Sequence, residues 1–273
     1  MSYIESVGNI SFKSHKATDN IPLNTQKATG NTLFKAQDCA AARPLKTPNH
    51  SRRIPLKDRI LPTYTLSEER LNYISHIVGT VFGIVVLVLC VVRAALHGNT
   101  WGIVSGAVYG VSMILLYTMS SIYHGLPSGM AKKVMQVLDH CTIYLLICGT
   151  YTPVLLSGVR TVSPAWAWSL FGVVWGLGIV AIVLTAIDLK KYQVFSMICY
   201  IGMGWCIIAA AGPAVRAITR AGFMWLLAGG VAYSIGAVLY GIGKKKRYMH
   251  SLFHFFVLAG SILQFVCIFR YVM

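Results

Sequence analysis

Polar and apolar positions divide the chain sharply. Residues 1–62 show no sustained apolar period, hold no tryptophan and carry five of the nine prolines. From residue 72 the pattern changes to seven apolar segments, 72–96, 101–124, 137–157, 165–187, 195–212, 223–243 and 249–271. Each is close to the ~20 residues that a helix needs to cross a bilayer. They are apolar all round, and a backbone surrounded by lipid must satisfy its own hydrogen bonds, so the pattern predicts helices. The expected fold is an all-α integral membrane protein, a seven-transmembrane helix bundle over residues 67–273. A basic, disordered N-terminal tail, residues 1–66, is expected to precede it.

Composition agrees with this reading. Apolar residues make up 56 % of the 273, charged residues 12 %, and mean hydropathy is +0.63. A soluble domain has about a quarter charged residues, so this chain cannot cover an ordinary globular surface. The net charge of +16 comes from cations scattered over the tail and loops rather than along one face. That argues against nucleic acid as a partner and for membrane lipids, with the loop cations setting orientation. Lys132, Lys133, Lys190, Lys191 and the run Lys244, Lys245, Lys246, Arg247 lie in the second, fourth and sixth loops, against Arg160, Arg216 and Arg220 in the third and fifth. Excess cations stay inside, so the N-terminus is expected in the cytoplasm and the C-terminus outside. The seven cysteines show no CxxC and sit mostly in apolar stretches, as small buried thiols rather than disulfides.

Several features predict packing rather than chemistry. Gly79 with Gly83, the series Gly102, Gly106 and Gly110, and Gly172 with Gly176 are i, i+4 small-residue faces where helices approach closely. Pro153, inside the third segment, should kink it. Ser67 followed by Arg70 lacks the acidic partner of a capping box. Asp188 with Lys190 and Lys191 reads as a solvated turn, His97 as a loop residue, and Trp166, Trp168 and Trp225 as interfacial anchors.

The ionisable groups of the core carry the chemistry, because such groups are costly inside a membrane. His124 ends the second segment, Asp139 and His140 begin the third, and His250 and His254 begin the seventh. With alternating helix directions all lie at one depth, near the cytoplasmic ends. His250 and His254 are i, i+4 and share a helix face, as do Ser120 and His124, so two imidazoles of one helix can grip one ion. Three imidazoles with an open fourth position make a catalytic zinc arrangement. With imidazole dominant and no cysteine nearby, Zn2+ is the expected metal. Asp139 is placed to orient a ligand, accept a proton from the fourth-position water or complete the shell. His140, about 100° round the helix from Asp139, is left out of the shell. Glu69, Asn72 and His76 recur at i, i+3, i+7 on one face of the first helix and read as support for the site rather than ligands.

Four motifs in this order resemble a known family: E-x2-N-x3-H (Glu69, Asn72, His76), S-x3-H (Ser120, His124), LDHCTIYLLICGTYTP (138–153) and H-x3-H (His250, His254). Together they look like the bacterial hemolysin III branch of the progestin and adiponectin receptor superfamily, which in turn resembles the alkaline ceramidases. The resemblance covers residues 67–271. It implies seven helices and a zinc ion in the cytoplasmic half held by His124, His250 and His254. Asp139 would contact the water on the zinc, with Ser120 beside it, and the location would be a bacterial inner membrane. His140 after the aspartate points to the bacterial branch, and the long basic tail departs from its compact pattern.

The expected function is hydrolysis of a lipid amide or ester, with an acyl chain entering between helices and Asp139 as general base. The rivals are a lipid sensor or regulator with structural zinc, and a cytolytic protein, against which the scarcity of polar groups in the outer halves argues.

Overall fold

A computed structural model describes residues 54–243 and 246–273. The fold is all-helical, with no strand among the described residues: α1 (Leu66–Leu96), α2 (Thr100–Gly125), α3 (Met130–Pro153), α4 (Pro164–Asp188), α5 (Gln193–Trp205), α6 (Ala211–Gly243) and α7 (Met249–Tyr271). Residues 1–53 of the expected tail, with Cys39, and Lys244 and Lys245 of the basic run lie outside the described residues.

Six helical stretches among the described residues are long and apolar enough to cross a membrane, rather than the seven expected. The difference lies in Gln193–Gly243, where α5, a 3-10 turn over Cys206–Ala210 and α6 follow one another without a gap. The 51 residues of this stretch would run to about 75 Å as one helix, more than twice the ~30 Å of a hydrocarbon core. The backbone breaks at Thr219, whose φ of 64° and ψ of 166° leave the helical region.

α1 starts six residues before the apolar run, because Thr65 is a complete N-cap. Its hydroxyl accepts the Glu68 backbone N–H, and its own N–H donates to Glu68 Oε2 at 2.9 Å. The capping box is therefore Thr65-x-x-Glu68, two residues before the Ser67 position considered from sequence. Pro153 is the last α-helical residue of α3, and the helical stretch runs on to Thr161 with altered winding. The chain continues as a π turn over Val154–Gly158 and a 3-10 turn over Val159–Thr161, so the regular α ladder stops at the residue that has no N–H to donate.

α2 packs against α1 and α3, and α7 against α1 and α6, while α5 touches its neighbours only lightly. The glycines of α1 and α2 let their backbones meet: a Cβ on Gly83 would stand 3.1 Å from Ile114 Cγ1, and one on Gly106 3.1 Å from Cys90 Cβ. Gly172 and Gly176 behave differently. No atom of the described residues lies within 4 Å of a Cβ built on either, so among these residues they form no packed face. α3 is largely enclosed, whereas α1 and α4 expose rows of valine and isoleucine as a lipid-facing surface must. The six described cysteines are free and at least half-buried, as expected.

One pole of the bundle gathers the beginnings of α1, α3 and α7 with the end of α2. It is called the proximal end below.

Candidate metal centre

The three histidines expected as ligands converge. Donor atoms of His124, His250 and His254 all lie within 4.8 Å of one another. His250 Nε2 is 3.3 Å from His124 Nε2 and 3.1 Å from His254 Nε2. Nitrogens that share a tetrahedral ion at bonds of about 2.0–2.1 Å stand about 3.3–3.4 Å apart by geometry. A single hydrogen on His250 Nε2 can serve only one of its two neighbours, so hydrogen bonding alone leaves the trio frustrated. His124 and His254 are 2 % and 1 % exposed. The residues present therefore fit a metal ion, which gives all three nitrogens a common partner.

Helix geometry explains the convergence. One turn of α7 stacks His250 and His254 on the face toward α1 and α2, and His124 ends α2 at the same level. The tautomer of His124 is set from behind. Its Nδ1–H donates to Glu69 Oε2 at 2.6 Å, which leaves Nε2 bare toward the other two rings. The side chain of Asn72 lies 3.3 Å from the same Nδ1. Glu69 and Asn72 thus stand behind His124, on the face that the i, i+3 spacing gave them. His76 is placed otherwise: its ring stacks on His254 at 3.8 Å and stands perpendicular to the Tyr117 ring at 5.0 Å. Both its nitrogens are buried with no hydrogen-bond partner among the described residues.

Glu69→Gln keeps the shape and one acceptor but removes the charge behind His124. Loss of such a partner typically weakens metal binding 10- to 100-fold. A competition titration of purified protein against a metal indicator should show a drop of that order; unchanged affinity would mean the Glu69–His124 contact is structural only.

Asp139 is not among the donors that lie within 4.8 Å of one another. With Ser120, His76, His250 and His254 it lines a cavity of about 150 Å³ that runs between α3, α5, α6 and α7 as far as Trp205 and Gln264. His140, left out of the shell, lines the same cavity but is not one of the converging donors: its Nδ1 donates to Gln136 O at 2.8 Å and lies 3.6 Å from Asp139 Oδ2, and its Nε2 is 3.3 Å from Tyr240 Oη.

Three features were not read from sequence. Lys132, assigned to a loop as an orientation charge, lies in α3, is 5 % exposed, and donates to Glu69 Oε1 at 2.6 Å and to Leu126 O at 3.0 Å. Its spacing of seven from Asp139 was the available signal, since i and i+7 share a helix face. Asp188 is 3 % exposed, not solvated, and accepts from the backbone N–H of Lys191 at 3.1 Å and of Ile54 at 3.4 Å. Tyr64 lies over the centre, its ring stacked on His250 at 4.9 Å and tilted against His124 at 5.7 Å. Burial, then the proximity of Tyr240 and Glu69, pushes its phenol well above the ordinary value, so it stays neutral.

A helical bundle with lipid-facing sides and an imidazole cluster at one pole defines a multi-pass membrane protein with a candidate metal centre. Residues 64–265 match the family described as haemolysin-III related, and the chain belongs to that family. It is 39 % identical over 211 residues to Hemolysin-3 of Bacillus cereus, covering 77 % of this chain and 94 % of that protein. It is 38 % identical over 208 residues to the Hemolysin-3 homolog of Bacillus subtilis (strain 168), covering 76 % and 96 %. A more distant likeness, 23 % over 183 residues, covers 64 % of this chain and 74 % of the Homo sapiens monocyte to macrophage differentiation factor. That likeness fits the wider progestin and adiponectin receptor superfamily which the four motifs resemble.

Proposed function

We propose that this protein is a zinc-dependent membrane hydrolase acting on an amide or ester bond of a lipid. The observation that carries the reading is the imidazole trio with one open side, toward a mostly apolar cavity that also presents a carboxylate and a hydroxyl. Zinc, when bound, supplies a Lewis acid for the carbonyl and lowers the pKa of its water toward ~7. His124, His250 and His254 hold it, and Glu69 keeps the His124 nitrogen that faces it free of hydrogen. Asp139 takes the proton of the attacking water and returns it to the leaving group, as a general base and then acid. Ser120, one turn before His124, offers its hydroxyl to the polar end of the lipid. The acyl chain occupies the apolar part of the cavity, and no nucleic acid partner is involved.

The cation distribution supports a cytoplasmic proximal end. Seven crossings follow if the chain reverses at the Thr219 break, and the C-terminus is then outside a bacterial inner membrane. The test is hydrolysis of a panel of ceramide-like amides and lipid esters by protein in nanodiscs, with and without metal. Asp139→Asn should lose about 10²- to 10⁴-fold in rate. Turnover that survives complete metal removal rejects the reading.

The deep burial of His124 and His254 favours a second reading, a lipid sensor whose metal locks the bundle. It predicts that metal loss lowers the melting temperature while no lipid turns over. The relatives' name, Hemolysin-3, raises a cytolytic reading, which planar-bilayer conductance measures directly.

A further inference from the structure

We infer that Tyr64 is a positioning residue of the imidazole centre, and that the segment carrying it, Ile54–Tyr64, is a removable strap over the proximal end. The inference rests on the cluster of rings described above and not on any metal being bound there.

Four observations bear on the strap. The Tyr64 ring lies nearly parallel to that of His250, at 26°, with centroids 4.9 Å apart, and also contacts His124. It therefore covers the two histidines that come from different helices. Its backbone is held on one side only by the Thr65 cap of α1. At the far end the strap is fastened across the bundle to α4: Arg59 Nη2 donates to Ile187 O at 3.3 Å, and the Ile54 N–H donates to Asp188 Oδ2 at 3.4 Å. Lys133 Nζ of α3 donates to Lys57 O in the single 3-10 turn, Leu56–Asp58, between those anchors.

These fastenings are few and weak compared with a helix interface. The strap has no buried residue in its turn, and Ile60 and the Lys57 side chain are exposed. Two guanidinium nitrogens of Arg59, Nε and Nη1, are buried without a hydrogen-bond partner among the described residues. A segment with little buried apolar area and incompletely satisfied polar groups opens at low cost, below that of global unfolding. Opening lifts Tyr64 from His250 and admits water to the centre, while the helices that carry the imidazoles stay in place. Closing keeps the Tyr64 ring stacked over His250 and against His124, and leaves the cavity side, with Asp139 and Ser120, as the working face.

The strap is testable on metal-free protein by carbethoxylation with diethyl pyrocarbonate, scored histidine by histidine by mass spectrometry in the full chain. Tyr64→Ala should raise the labelling rate of His250 and His124 about ten-fold, the factor to which a ring-stacking contribution near the top of its usual range corresponds. Tyr64→Phe keeps the ring and should label as wild type. Arg59→Ala unfastens the far end and should raise the same two histidines, with His76 unchanged in every variant. Equal labelling of His250 in wild type and Tyr64→Ala overturns the inference. So does a rise that extends to His76 with a fall in melting temperature, since that reports loosening of the bundle. Zinc stoichiometry on the same preparations tests the metal separately: Tyr64-dependent labelling without zinc keeps the strap and removes the metal.

Discussion

His254→Ala is expected to purify as a helical membrane protein that retains almost no metal, where wild type retains about one ion per chain. The position is the inner corner of the trio, 3.1 Å from His250 Nε2 and 1 % exposed, and alanine removes one of the three converging nitrogens. The remaining pair, His124 and His250, sits on two different helices and gives a bidentate site with no further donor in the converging group. A ligand that binds only the folded state stabilises it by about 2.7 kcal/mol at a hundred times its Kd. Added zinc should therefore raise the melting temperature of wild type by several degrees and leave His254→Ala unmoved. Elemental analysis and a thermal scan read the two effects independently. A full metal complement in the alanine variant would show that these imidazoles are not the ligands.

Gly79→Ala is expected to be the most damaging small substitution away from the three histidines. An added methyl group would sit 2.6 Å from Tyr117 Cγ, far inside van der Waals contact with the ring. Tyr117 cannot step aside. It is fully buried, its hydroxyl donates to Ser261 Oγ at 2.7 Å, and its ring stands perpendicular to that of His76 at 5.0 Å. Overpacking of this kind costs about 1–3 kcal/mol, and more where the displaced group is aromatic and hydrogen-bonded. Because His76 stacks on His254, displacement of Tyr117 is felt at the centre as well. The variant should show both a lower melting temperature and weaker metal retention. Gly172→Ala, with nothing within 4 Å of its new Cβ, is the matched control and should leave both unchanged.

The two glycines look alike in sequence, each the first of an i, i+4 pair on an apolar helix. Only the neighbour distinguishes them. The same holds for charge: Lys132 and Lys133 are adjacent and were read together, yet one is buried against Glu69 while the other reaches the strap at an exposed position. Spacing along one helix reports which residues share a face, which is why HxxxH, S-x3-H and the Glu69–Asn72–His76 series could be placed before any coordinates. It does not report which face of a neighbouring helix lies opposite. Tyr64 was missed for a further reason: it precedes the cap of α1 in a stretch whose polar composition gives no periodicity to read.

What the amino-acid order by itself determined is the class of the protein and the content of its centre. Apolar length dictates membrane helices, because lipid offers the backbone no partner, and periodicity of 3.6 dictates which imidazoles can act together. Tertiary structure alone decided the rest. It set the rotation and depth at which α1, α2, α3 and α7 meet, which made Glu69 the partner of both His124 and Lys132 and kept Asp139 out of the trio. It also laid Tyr64 across the top. Those choices depend on side-chain packing between helices distant in sequence, a many-body fit that no one-dimensional pattern encodes.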